Sequence, residues 1–287
     1  MDHRATTLPM PPGWPARIRA VDSGAATPPA AKPAATVVLL RDAATGPEAY
    51  LLRRRTSMAF AAGMYAYPGG GVDPRDAEAE LAWAGPGPEE WARRLGVDAR
   101  TAQAVVCAAV RETFEEAGVL LAGPDARSIA EPRDWSAERA ALEAHELSFA
   151  DFLRAHGLVL RSDLLGGWAR WITPEFEERR YDTWFFVAAL PSGQRAALEV
   201  GEADRVAWMA PAEAVRGYDE GRFGMLPPTV TVLRELSSVR SAAEALAAAG
   251  QRALDPVLGR AEVRGDRMTV RWPGYDELTI DGDFPEA

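Results

Sequence analysis

Arg111-Glu112-Thr113-Phe114-Glu115-Glu116-Ala117-Gly118 is the stretch that decides the fold. The pattern predicts a helix from Asp98 to about Glu116, with Asp98 as its N-cap and Gly118 as its stop. At about 100° per residue, Glu115 and Glu116 fall within roughly 60° on either side of Glu112. Val106, Cys107, Val110, Phe114 and Ala117 fall on the opposite side. One face is therefore apolar and the other carries three clustered carboxylates. Glu112 and Glu116 form a like-charge i,i+4 pair, which destabilises a helix unless something offsets it. Solvent or nearby arginines do so at a surface. A hard divalent cation does so better, because Mg2+ or Mn2+ takes carboxylate oxygens and also bridges phosphates. Taken alone, a glutamate-rich helix end is more often a plain solvated face, so the helix leaves both readings open.

Upstream, Thr36 to Leu40 is apolar and β-branched, and Ala49 to Arg55 reads as its hairpin partner. Alternation puts Arg53 and Arg55 on one face of that strand and Arg54 on the other. The turn Tyr67-Pro68-Gly69-Gly70-Gly71 follows, and its glycines allow close backbone approach. Pro88 suits the first residue of a short helix and Gly96 its C-terminal cap. Further on, the chain predicts one helical stretch from Ser136 to His156 and strands at Trp168–Ile172, Thr183–Leu190 and Arg205–Met209. It also predicts helices from Pro211, from Thr229 to Ser238 and from Ser241 to Leu254, and a terminal hairpin within 264–280. Prolines at 9, 11, 12, 15, 28, 29 and 33 mark residues 1–35 as an irregular extension, with a short strand at Arg17–Val21. The mixture reads as α/β or α+β, without clean βαβ alternation.

The order Arg-Glu-x-x-Glu-Glu-x-Gly, followed by apolar Val119, resembles the second half of a Nudix box. Gly70, five residues, then Asp76 resembles the first half, entered through Tyr67-Pro68-Gly69-Gly70. The halves depart from the family pattern in two ways. Ala77 to Val110, 34 residues, stand where the family has seven, and the first acid is Asp rather than Glu. An interrupted box resembles the subgroup that includes peroxisomal coenzyme A diphosphatases. So do Tyr50 to Arg55, Tyr67 to Asp73, Trp171 to Thr183 and Leu226-Pro227-Pro228-Thr229.

The resemblance implies a Nudix fold, a mixed sheet between helices with a helical insertion inside the box. It implies Nudix hydrolase activity, in which water activated by Mg2+ or Mn2+ cleaves the diphosphate of a nucleoside diphosphate linked to another group. Coenzyme A or an acyl-CoA is the first expectation, with ADP-ribose, NADH or another nucleotide as alternatives. A non-catalytic, nucleotide-sensing Nudix domain is the reading of a different class, and it has no need of three glutamates and their arginine. Glu112, Glu115 and Glu116 are the implied metal ligands, with Glu115, Glu116 and Arg111 in the chemistry. Asp76 pairs with Arg111, provided that the inserted segment folds aside, and Gly118 ends the box. Gly69 and Gly70 bring backbone close to metal and phosphate. Glu202 is the candidate base, with Asp204, Glu177 and Glu178 as rivals. Arg53, Arg55 and Arg180 are candidate planar forks for substrate phosphates.

Composition narrows the partners. The chain has 287 residues, a formal net charge of -10 and 47% apolar residues, so it can bury a real core. An acidic balance argues against nucleic acid or an anionic membrane as partner. The expected partner is a small nucleotide conjugate, whose phosphates a bound cation brings to an acidic site. The single cysteine, Cys107, forms no internal disulfide and reads as a core residue. No apolar leader is seen at the start and no Ser-Lys-Leu at the end, so the expected location is cytoplasmic. The three histidines lie outside the box. The expected organisation is an extension at 1–35, a Nudix domain at 36–240 with insertions at 77–103 and 130–165, and a helix and hairpin at 241–287 packed on the same domain. The alanine-rich helix in that last segment offers a homodimer surface.

Overall fold

A computed structural model describes residues 13–55, 63–78, 80–196, 203–265 and 267–283. In chain order its elements begin with α1 (Trp14–Asp22), β1 (Lys32–Ala43), β2 (Gly46–Arg54), β3 (Tyr65–Ala66), β4 (Gly69–Gly71) and α2 (Pro74–Glu78). They continue with β5 (Trp83–Ala84), α3 (Pro88–Leu95), α4 (Ala99–Ala117), β6 (Ala122–Gly123), α5 (Ser136–Glu143), α6 (Phe149–Ala155) and β7 (Val159–Arg161). Then come β8 (Gly166–Ile172), β9 (Tyr181–Ala189), β10 (Ala203–Met209), α7 (Pro211–Asp219), α8 (Pro227–Leu236) and α9 (Ala242–Ala249). The described chain closes with β11 (Pro256–Leu258), β12 (Arg260–Arg264), β13 (Arg267–Arg271) and β14 (Ile280–Asp283).

Two compact units form. One comprises residues 34–169 and 184–254, the other 1–33, 170–183 and 255–287. These units and the linear segments 1–35, 36–240 and 241–287 do not share boundaries.

The larger unit carries the sheet order β10-β2-β1-β9-β8, with β3 added to β2 and β4 to β1. The hairpin register runs from Leu40↔Ala49 to Ala43↔Gly46. Helix α4 covers this sheet because its apolar stripe is continuous. Ala102, Val105, Val106, Ala109, Val110, Phe114 and Ala117 join Val37, Leu39, Tyr50, Trp184 and Phe186 in one core. Cys107 is buried there, as its type suggests. The helix starts where Asp98 accepts the Thr101 N–H at 2.9 Å and ends at Gly118, whose φ of 67° is left-handed.

The segment between the two halves of the box does not fold aside. Trp83 and Ala84 pair with β7 in a small sheet of order β5-β7-β6, and Trp91 and Leu95 of α3 are buried in the core that α4 anchors. Their apolar surface outweighs any tendency of an insertion to remain peripheral. The expected single helix from Ser136 to His156 is two, α5 and α6. His145 sits between them at φ 57°, and Ser148 recaps the second by accepting the Asp151 N–H at 3.1 Å. The alanine-rich helix stops at Ala249, one residue before Gly250, rather than running to Leu254.

In the smaller unit, residues 17–21 are helical, not a strand. Pro15 occupies the first turn of α1, and Arg17-Ile18-Arg19 mimics strand alternation while burying only Ile18 beyond that turn. Beta11 pairs parallel with the end of β8, from Pro256↔Arg170 to Leu258↔Ile172. The expected terminal hairpin is a three-stranded sheet, β12-β13-β14. Among the described residues no helix is long and apolar enough to cross a membrane.

Candidate active site

The site grows from three neighbouring elements of the larger unit, β4, α2 and the last two turns of α4. Beta4 is laid against β1 with Ala34↔Gly71, Ala35↔Gly70 and Thr36↔Gly69 in register. Two of its glycines are required by space. A Cβ on Gly69 would stand 2.5 Å from both the Ala35 carbonyl oxygen and Thr36 Oγ1. A Cβ on Gly70 would stand 2.6 Å from the carboxylate carbon of Glu112. The glycine strand can therefore touch the glutamate helix, and the Gly69 N–H donates to Glu116 Oε2 at 2.8 Å.

Arg111 joins the two halves of the box. Its guanidinium Nη2 donates to Asp76 Oδ2 at 3.1 Å and to the Gly71 carbonyl at 2.9 Å. Its Nε donates to Asp76 Oδ1 at 3.3 Å. The remaining nitrogen, Nη1, donates to Glu112 Oε1 at 2.7 Å and to Glu115 Oε1 at 3.3 Å. Asp76 also accepts the Asp73 N–H at 2.9 Å and the Cys107 thiol at 3.4 Å. The shorter acid thus reaches the arginine even though the insertion stays in the core. Arg111 and Asp76 are both buried, a situation tolerated only when charges are paired and hydrogen-bonded.

The electrostatics follow from three carboxylates, Asp76, Glu112 and Glu115, gathered around the Arg111 guanidinium, with Glu116 held beside them by the Gly69 amide. Burial works against the Arg111 charge, but Glu112, Asp76 and Glu115 hold its pKa above the usual arginine value. Burial pushes Glu112 up to about 7, with Arg111 opposing and Glu115 adding to the rise. Glu115 is also raised by burial, again opposed by Arg111.

Among the described residues no three His, Cys, Asp or Glu side chains are grouped so that they could hold a metal ion as they stand. Arg111 holds one oxygen each of Glu112 and Glu115, and the Gly69 amide holds one of Glu116. The donor chemistry nevertheless fits a hard divalent cation. The donors are all carboxylate oxygens, and they lie on one helix face.

The structure brings Gly69, Gly70, Asp76, Arg111, Glu112, Glu115 and Glu116 together, with Gly118 ending the helix that carries the last four. Glu202 and the side chain of Asp204 lie outside the described residues. Glu177, Glu178 and Arg180 belong to the smaller unit. There Arg17 pairs with Glu178 at 2.6 Å and with Glu177 at 3.8 Å. Arg180 donates to the carbonyls of Pro29 at 2.7 Å and Thr173 at 3.1 Å. Along β2, Tyr50 belongs to the core built on α4, so alternation puts Leu52 and Arg54 on that face and Arg53 with Leu51 on the other. Arg55 follows the end of β2. Arg54, which sequence reading passed over, is the strand arginine on the side of the box helix. Alternation along the strand was legible, but which face meets the helix was not.

Sequence reading also missed Arg139 of α5. Its Nη2 donates to the main-chain oxygen of Glu115 at 2.7 Å. No motif surrounds it, and nothing in its neighbourhood signals a partner 24 residues away.

Comparison with known proteins agrees with this geometry. The family profile of the NUDT19 Nudix domain matches residues 93–236, half of the chain. The chain belongs to this Nudix family. The matched span includes Arg111 to Gly118 but not Gly70 or Asp76, so the first half of the box rests on the contacts described above. The chain is similar to acyl-coenzyme A diphosphatase NUDT19 of Homo sapiens, with 30% identity over 199 residues, 63% of this chain and 52% of that protein. It is similar to the Xenopus laevis protein of the same name at 27% identity over 146 residues, 46% of this chain and 38% of that protein. The chain thus spans about half or less of the length of these relatives. A crystal structure of a Nudix hydrolase from Alicyclobacillus acidocaldarius superposes with a TM-score of 0.66 at 28% identity, covering 78% of this chain and 97% of that one. The fold is the mixed α/β Nudix fold.

Proposed function

We propose that this chain is a diphosphatase that hydrolyses the diphosphate bond of a nucleotide conjugate with Mg2+ or Mn2+, with coenzyme A and acyl-CoA as the first substrate class. The observation that carries the proposal is the shared clamp on the glutamate turn. Arg111 holds Asp76, Glu112 and Glu115 while the Gly69 amide holds Glu116. A nucleotide-sensing module would have no physical need of three clustered glutamates and their arginine. The substrate class is supported by the names of the relatives, two of which are acyl-coenzyme A diphosphatases.

In this proposal Glu112, Glu115 and Glu116 hold the cation. When bound, it supplies a Lewis acid that polarises the phosphoryl oxygens and activates the attacking water. Arg111 keeps the glutamates on one face and ties their helix to the glycine strand through Asp76 and the Gly71 carbonyl. Gly69 and Gly70 are proposed to bring the backbone close to metal and phosphate. Glu202 is the proposed base, with Asp204 as its rival. Arg54 and Arg55, at the end of β2, are proposed to bind substrate phosphates, whereas Arg53 lies on the strand face away from the box helix. Residues 36–240 are proposed as the catalytic domain, in a cytoplasmic protein.

The test is a panel of coenzyme A, acyl-CoA, ADP-ribose and NADH, each with Mg2+ and with Mn2+, with products resolved chromatographically. The proposal expects coenzyme A to yield 4′-phosphopantetheine and adenosine 3′,5′-bisphosphate. Faster turnover of ADP-ribose or NADH would remove the coenzyme A assignment. No turnover of any diphosphate would remove the hydrolase reading.

A further inference from the structure

Helix α4 ends badly by its own means. Its last turn carries Glu115 and Glu116 and no basic residue, so negative side chains lie at the negative end of the helix dipole. Its last carbonyls also need donors from outside the helix. Both needs are met from α5. Arg139 is buried, and a buried guanidinium requires a partner. Its Nη2 donates to the Glu115 carbonyl at 2.7 Å. Its Nη1 would lie 3.1 Å from a Cβ on Gly118, so the guanidinium packs closely over this helix stop. Helix α5 is itself held firmly. Trp135, which starts it, packs edge-on against Phe114 of α4 at 6.1 Å and against Phe152 of α6 at 5.1 Å, and Phe152 stacks on Phe114 at 5.0 Å.

We infer that Arg139 is a positioning residue for the metal-binding turn. It caps the glutamate helix from the neighbouring helix and so fixes the backbone from which Glu115 and Glu116 reach the cation. The inference rests on the proposed metal-dependent function, but it is read out by metal binding rather than by turnover. Two effects of removing the arginine have opposite signs. Losing a positive charge near the site would tighten cation binding, whereas losing the cap would weaken it.

The experiment is Mn2+ titration by calorimetry on the parent, Arg139→Met and Arg139→Lys, with melting curves of the same samples. The inference expects Mn2+ binding about tenfold weaker in Arg139→Met. It expects binding about threefold weaker in Arg139→Lys, because lysine restores charge and one donor but not the planar fork. If Arg139→Met does not fold, Arg139→Lys carries the test. Its Mn2+ binding should be weaker while its melting temperature stays near the parent's. Binding equal to or tighter than the parent's in the folded variants would overturn the inference and leave the proposed function standing. A parent that binds no Mn2+ would overturn both.

Discussion

Arg111 and Asp76 stand 35 residues apart in sequence, yet Nη2 of the one lies 3.1 Å from Oδ2 of the other. This contact closes the interrupted box, and it does so with Trp91 and Leu95 of the inserted helix α3 buried in the core rather than set aside. Asp76→Asn should therefore destabilise the fold. Arg111 would retain Glu112, Glu115 and the Gly71 carbonyl, so the cost should be about 2–3 kcal/mol, at or below the low end for a buried pair that loses one partner. Urea unfolding of parent and variant measures it.

Gly70→Ala tests the close approach of strand to helix. The added methyl would stand 2.6 Å from the Glu112 carboxylate carbon, so the glutamate or the strand must move. Overpacking of this kind costs about 1–3 kcal/mol. Mn2+ affinity should fall with stability, because the displaced group is a proposed ligand. A variant with parental Mn2+ affinity would separate the glycine from the site.

Tyr50 gives the fold an alkaline limit. Its hydroxyl is buried without a hydrogen-bond partner, and its pKa is raised to about 12, mainly by burial. The folded pKa lies above the unfolded one, so the folded state holds its proton more tightly. That stability is complete below about pH 10 and is lost as pH rises towards 12. Tyr50→Phe should raise stability at neutral pH by about 1 kcal/mol, since an unpaired buried hydroxyl is removed. It should also flatten the loss between pH 10 and 12. Denaturation midpoints across that range decide it.

Divalent metal should stabilise the protein. At a hundredfold excess over the dissociation constant, a ligand that binds only the folded state adds about 2.7 kcal/mol. For a chain of this size that is roughly 5–10 °C in melting temperature. Mn2+ should produce the shift, EDTA should reverse it, and Glu115→Gln with Glu116→Gln together should abolish it.

The two halves of the box were legible because each carries its own local signature: a glycine turn before an acid, and glutamates at helical spacing after an arginine. Their union was expected from the family resemblance alone, on the condition that the insertion folds aside; the path of the 34 intervening residues was not legible, because it is decided by the burial of Trp91 and Leu95. The hairpin, α3 and α4 were legible from alternation, Pro88, Gly96, Asp98 and Gly118. Residues 17–21 misled because arginines flanking one isoleucine fit a strand as well as a helix with a single buried position. The break at His145 was hidden because it rests on a left-handed residue that is not glycine. Arg139 left no trace at all, since a helix cap supplied from another helix is a long-range property with no spacing of its own.

The most direct test of the central claim is the initial rate of coenzyme A diphosphate hydrolysis as Mn2+ is titrated, for the parent and for the Glu115→Gln, Glu116→Gln double variant. The account predicts a saturable rise from a negligible metal-free rate in the parent. It predicts at least a hundredfold lower rate at every Mn2+ concentration in a variant that remains folded. A parent rate independent of Mn2+, or a folded variant that matches the parent, would contradict it.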